Sequence, residues 1–240
     1  MKKIRNTYVL LTAMIAATFS LSSCSKDDDK DDVFPKNTTE IVATNVINSS
    51  DKISHVKVDL FWEEGDDFDW DGVFETPYLN NGFTMVLPKT IENKYLEPMV
   101  VNDEEYLEGI FLSNKKVKST SAHYFYGYDK NDEQLGRLYY VSELGTQDRI
   151  ETTWLYVDND IKINGKNSSK YGETEEHVQI FDNLRLKKGW NITYNTFSVK
   201  KEGNKTINTV ITTNNNPSNT TLKWYYIEPD TDYYSPHLTK

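Results

Sequence analysis

The sequence predicts an all-β fold, an antiparallel β-sandwich with an up-and-down β-barrel as the alternative layout. Three observations carry that expectation. Beyond residue 38, apolar and polar residues alternate strictly in several runs, the period-two pattern of a strand with one buried face. The runs are rich in Val, Ile, Thr and Tyr, which suit a pleated, half-buried surface. Turn residues separate them at intervals of about 8–12 positions, the spacing of sandwiches and barrels. Helical periodicity is thin: Thr90 is placed to cap a short turn carrying Ile91 and Tyr95, and Pro98 stops it.

Taken in order, the first strand is expected over Ile41–Val46. In the run from Ile53 to Trp62, Val56, Val58, Leu60 and Trp62 share one face and His55, Lys57 and Asp59 the other. Phe83, Met85 and Leu87 repeat the pattern before Pro88 ends it. Further strands are expected at Gly109–Leu112, Tyr124–Tyr128, Leu138–Val141 and Trp154–Val157. The second half reads as a meander. Ile161 and Ile163 precede Asn164-Gly165, a strong hairpin-turn signal. Val178–Phe181 and Leu184–Leu186 follow, then a turn at Lys188-Gly189 and a long strand with Trp190, Ile192 and Tyr194 on one face. Glu202-Gly203-Asn204 turns the chain into Ile207–Thr213. A polar loop, Asn214 to Asn219, leads to a last strand carrying Leu222, Trp224 and Tyr226 inward.

The N-terminus has a different character. Lys2, Lys3 and Arg5 form a short positive segment, and Tyr8 to Phe19 is almost wholly apolar or small. That core of about a dozen residues is too short to cross a hydrocarbon layer of ~30 Å, which needs about 20. Leu21, Ser22 and Ser23 then precede Cys24, the single cysteine of the chain. An acidic run follows: Lys26, Asp27, Asp28, Asp29, Lys30, Asp31 and Asp32. Residues 1–23 are expected to be a signal peptide that is removed, residues 24–38 a flexible tether poor in apolar groups, and residues 39–240 one all-β domain. A flexible tether of that length spans ~20 Å on average.

Composition narrows the function. The formal charge of −10 falls to −13 when residues 1–23 and their three cations leave, with 24 basic against 37 acidic residues remaining. That balance argues against a nucleic-acid partner, whose phosphates are bound by Lys and Arg clusters. With one cysteine no disulfide staples the domain, so the fold must rest on a hydrophobic core, and ~200 residues are enough for one.

The order of cationic segment, apolar core, Leu21, Ser22, Ser23 and Cys24 resembles the lipobox of bacterial lipoproteins. The resemblance implies that Cys24 is diacylglyceryl-modified and becomes the first residue of the mature chain. Long acyl chains then hold the protein to a membrane it does not span, since each buried methylene contributes roughly 0.8 kcal/mol. The run Lys26-Asp27-Asp28-Asp29 resembles the export signal of surface lipoproteins in Bacteroidota. It implies the outer membrane with the domain facing outwards; the other reading is a solvated tether on a periplasm-facing protein. Three further blocks, Asn81-Gly82-Phe83-Thr84-Met85-Val86-Leu87-Pro88 with Lys94-Tyr95-Leu96, Leu186-Lys187-Lys188-Gly189-Trp190-Asn191, and Leu222-Lys223-Trp224-Tyr225-Tyr226, resemble a set found in uncharacterised Bacteroidota lipoproteins. That family implies a small β-rich surface domain, with an immunoglobulin- or transthyretin-like layout as the expectation here, and supplies no catalytic residues.

Candidate chemistry is sparse. Asp67, Asp69 and Asp71 precede Gly72 at the spacing that opens a calcium loop, but Tyr78 stands where the bidentate Glu belongs. The expectation is an acidic inter-strand loop with no cofactor, with a weak structural calcium as the alternative. The histidines His55, His123, His177 and His237 are dispersed, without metal-ligand spacing. Glu173, Glu175, Glu176 and His177 are expected in a solvated loop. Glu63 and Glu64 adjoin a strand, but a glycosidase needs a facing carboxylate that the sequence does not name. Tyr124, Tyr126 and Tyr128 alternate on one face, and exposed rings stack on sugars and anchor interfaces. The sequence therefore points to a lipid-anchored, non-enzymatic binding or structural module for a glycan or protein partner. The alternatives are a hydrolase of extracellular polysaccharide and a metal- or haem-capturing lipoprotein.

Overall fold

The structure, a computed structural model, describes residues 40–64, 67–99, 108–122, 124–143, 146–217 and 220–229, with the side chains of 62–70 excepted. It is all-β. In chain order the strands are β1 (Glu40–Ala43), β2 (His55–Glu64), β3 (Asp67–Pro77), β4 (Phe83–Val86), β5 (Glu97–Pro98), β6 (Ile110–Leu112), β7 (Lys118–Ala122) and β8 (Phe125–Tyr128). They continue with β9 (Gln134–Val141), β10 (Arg149–Val157), β11 (Ile161–Tyr171), β12 (Glu175–Leu186), β13 (Gly189–Glu202), β14 (Lys205–Thr213) and β15 (Lys223–Ile227). The helical turn expected from Thr90 is a three-residue 3₁₀ segment, Asn93–Tyr95, whose N-cap position is Glu92 and has no side-chain cap.

Among the described residues, β1 and β4 form a two-stranded sheet and the other strands one large mixed sheet, whose main path runs β3-β2-β8-β9-β10-β13-β14-β12-β11-β6. β15 pairs with the other edge of β9. One edge of β10 is shared, by β9 through Glu151 and Val141 and by β7 through Trp154 to Val157.

The small sheet lies over the large one because its alternation fits. Ile41, Ala43, Phe83 and Met85 face down and are buried, while Val42, Thr84 and Val86 face solvent. Beneath them are Val56, Val58 and Leu60 of β2, Phe125 of β8, Leu138 of β9 and Trp224 of β15. The rings interlock edge to face: Trp224 is 5.1 Å from Phe83 and 5.2 Å from Phe125, and Phe125 is 5.4 Å from Trp154. Two indoles also fix the cover by hydrogen bonds. Trp224 Nε1 donates to Val42 O at 3.2 Å and Trp190 Nε1 to Pro88 O at 2.8 Å. Each satisfies a polar group that burial would otherwise strand, at about 1–3 kcal/mol. A second cluster, Leu112, Val117, Val157, Ile161, Ile163, Leu184 and Leu186, packs under the far end of the sheet.

The structure corrects four expectations. Asn164-Gly165 is not a hairpin turn: it lies inside β11, at a bulge opposite β12. The reason is a close backbone approach. Gly165 has φ +133°, and a Cβ there would stand 2.1 Å from Gly109 O on the neighbouring β6 segment. The chain turns instead at residues 172–174, between β11 and β12. Second, the later strands are not a simple meander. β12 and β13 are joined by Lys187 and Lys188 alone, yet β14 wedges between them, antiparallel to β13 and parallel to β12. Third, the acidic stretch 67–75 is a strand, not a loop. It pairs with β2 from Glu64↔Asp67 to His55↔Pro77, with a bulge where Val58 faces Phe74 and Asp59 faces Gly72. Fourth, Glu175, Glu176 and His177 open β12 rather than lying in a loop.

Candidate functional site

The large sheet has a second face, away from the small one, and β2, β8 and β9 build its most distinctive part. Period two sets the composition. On β8, Phe125 and Gly127 turn to the core while Tyr126 and Tyr128 turn outward. On β2, Val56 and Val58 go in and His55, Lys57 and Asp59 out; on β9, Leu138 goes in and Arg137 out. Register then aligns the outward residues in rows. Lys57 pairs with Tyr126, which pairs with Arg137, and His55 pairs with Tyr128, which pairs with Gln134.

In these rows each tyrosine lies against a cationic or imidazole group. The Arg137 guanidinium is 5.1 Å from the Tyr124 ring centre and 5.4 Å from that of Tyr126. Lys57 Nζ is 4.8 Å from the Tyr128 ring centre, and the His55 ring stacks on Tyr128 at 5.5 Å. Tyr124 and Tyr126 are themselves 6.1 Å apart. The face is half-buried rather than flatly exposed. Burial pushes the Tyr126 and Tyr128 hydroxyls above the usual phenol range. Burial also raises the Asp59 carboxyl, with Lys57 pulling it down and Asp71 adding to the rise.

At the β2 end of the face, Asp132 is a hub. Its Oδ1 accepts from Lys57 Nζ at 2.6 Å and meets His55 Nε2 at 3.0 Å. Those bonds, Lys57 first, hold the Asp132 carboxyl below the usual carboxylate range. On the other side His55 Nδ1 is 2.7 Å from Ser54 Oγ. Ser54, His55 and Asp132 thus form a hydrogen-bonded relay of the kind that activates a nucleophile. Here Lys57 holds the same carboxylate oxygen, and the Ser54 N–H and C=O are committed to Tyr128 and Tyr78. The bonds from His55 and Lys57 to Asp132 tie β2 to the β8–β9 turn.

Leu21, Ser22, Ser23, Cys24, Lys26, Asp27, Asp28 and Asp29 lie outside the described residues, as do His123 and His237. Asp67, Asp69 and Asp71 fall at alternate positions of one strand. Asp71 is bound by Tyr95 Oη at 2.8 Å and Lys94 Nζ at 3.2 Å, and the side chains of Asp67, Asp69, Glu63 and Glu64 lie outside the description. Among the described residues no group of three or more His, Cys, Asp or Glu is placed to hold a metal ion. His177 sits with Glu175 at 2.7 Å and under Tyr171, in a network separate from that of His55. The tyrosine alternation at 124–128 was legible. Arg137, Lys57 and Asp132 were not singled out, although the turn at Asp129–Asp132 aligns Tyr126 with Arg137 as soon as β8 and β9 are paired.

No protein-family model matches the chain, and no curated protein and no solved structure matches it either.

Proposed function

We propose that this protein is a lipid-anchored outer-membrane lipoprotein, displayed outward, whose β domain is a non-enzymatic binding module. Recognition is placed on the outer face of β2, β8 and β9. The observation that carries the reading is the row of tyrosines backed by Lys57, His55 and Arg137. Strand-mounted rings held by neighbouring cations are rigid, and rigid aromatics lose little entropy on contact. They offer stacking edges and hydroxyls to a glycan or to a protein surface. The small sheet packed across the large one supports a sandwich layout over a closed barrel. The anchor rests on Leu21, Ser22, Ser23 and Cys24, and the outward address on Lys26, Asp27, Asp28 and Asp29.

The anchor has a direct test. In cells fed labelled fatty acid, Cys24→Ser is expected to lose all label and leave the membrane fraction. Unchanged labelling removes the anchor. Protease shaving of intact cells reads the side of the membrane: digestion of the wild-type domain is expected, and full protection overturns the outward placement.

A further inference from the structure

We propose that Arg137 is the centre of a site for an oxyanion carried on a sugar ring, either a uronate carboxylate or a sulfate ester. The inference rests on the recognition face proposed above and names its ligand class. Arg137 lies mid-strand on β9, paired with Tyr126 on β8 and Ile227 on β15. Its guanidinium is half-buried, with two tyrosine rings at 5.1 and 5.4 Å and a hydrogen bond with the Tyr139 side chain. Tyr139, Val141 and Ile227, with Tyr124 and Tyr225 against them, form an apolar floor beside it.

Its difference from Lys57, the other cation of this face, and from the ion-paired cations elsewhere is the argument. Lys57 has Asp132, Lys94 has Asp71, Lys187 has Asp160, and Arg149 has Glu151. Among the described residues Arg137 has aromatic neighbours and no carboxylate pair. The carboxylate nearest in the pattern of the face, Asp59, responds to Lys57 and Asp71. Holding a half-buried charge without a counter-charge is unfavourable, and cation–π contact offsets it in part. A ligand carboxylate or sulfate would complete the balance. The planar fork of guanidinium donors matches two oxygens at once, and the Tyr124 and Tyr126 rings lie beside it. Asp59 closes the β2 side of the face to anions, so the oxyanion is directed over β9.

Calorimetric titration of the mature protein with a galacturonate trisaccharide, a sulfated trisaccharide and a neutral galactose trisaccharide tests this. One or both acidic sugars are expected to bind, with the neutral one at least about tenfold weaker. Which acidic sugar binds identifies the source of the oxyanion. Arg137→Gln is expected to lose at least about tenfold in affinity and Arg137→Lys to fall between, because a lysine is a point charge without the fork. Unchanged melting of both variants shows that the fold is kept. Equal binding of neutral and acidic sugars, no acidic sugar bound at millimolar concentration, or full affinity in Arg137→Gln overturns the anion site. If Tyr126→Ala abolishes sugar binding while Arg137→Gln does not, the recognition face stands and the anion site falls.

Discussion

Strand β8 has two faces, and they use aromatic residues for opposite ends. On the inner face Phe125 is 1% exposed and meets Trp154 and Trp224 edge to face, with no charge in the cluster. On the outer face, one residue along, Tyr126 is half-buried and lies under a guanidinium. The inner rings are held by shape and by the small sheet above them. The outer rings lie against cations and an imidazole instead. On β8 itself residue type follows parity: Phe125 inward, Tyr126 and Tyr128 outward.

The contrast can be broken by substitution. The largest effect is expected on the inner face. Trp224→Ala removes the ring that touches Phe83, Phe125 and Trp154 and orphans the Val42 carbonyl. It should destabilise by about 3–5 kcal/mol in a denaturant titration, whereas Tyr126→Ala on the outer face should cost about 1 kcal/mol or less. Equal losses would mean that the outer rings are ordinary core. Gly165→Ala comes next. It places a Cβ where Gly109 O already stands and forces a left-handed backbone on alanine, so about 1–3 kcal/mol is expected from strain alone. Since the bulge is remote from β8 in the sheet order, ligand binding should be unchanged in the folded fraction.

The smallest effect is the most diagnostic of the outer face. Asp59 has a raised carboxyl, chiefly from burial. A group whose pKa is higher folded than unfolded favours the folded state while protonated, and that contribution is lost as pH rises through the folded value. At neutral pH ionised Asp59 therefore costs stability. Asp59→Asn should stabilise by about 0.5 kcal/mol at pH 7, after allowance for solvent screening, and the gain should vanish below the ordinary carboxylate range. Asp132 runs the other way: Lys57 and His55 depress it, so its contribution is present at neutral pH and lost in strong acid. A melting curve measured for Asp59→Asn and Asp132→Asn from pH 3 to pH 8 should separate the two signs.

What the sequence made legible follows from locality. Alternation at Val56, Val58 and Leu60, and at Phe83, Met85 and Leu87, placed the inner face correctly, because period two is a property of one strand by itself. The same rule aligned Tyr124, Tyr126 and Tyr128. It could not reveal the partners of those rings, because Arg137 reaches Tyr126 only through pairing, and Asp132 reaches His55 and Lys57 across more than seventy positions. Asn164-Gly165 misled for a related reason. The local signal for a two-residue turn is also the signal for a glycine bulge, and the approach of Gly109 from β6 decides between them. Likewise Phe68 and Trp70 alternate with Asp67, Asp69 and Asp71 as in a strand, but carboxylate density and Gly72 suggested a loop. β14 between β12 and β13 lies beyond any local pattern, since a two-residue connection ordinarily joins neighbours.

The central claim, that the two faces of β8 divide structure from recognition, is tested most directly by mapping amide shifts during titration with an acidic trisaccharide. The account predicts perturbations confined to His55–Asp59, Tyr124–Tyr128 and Arg137–Tyr139, with the amides of β1 and β4 unmoved. Perturbations centred on β1 and β4, or spread evenly over the domain, would contradict it.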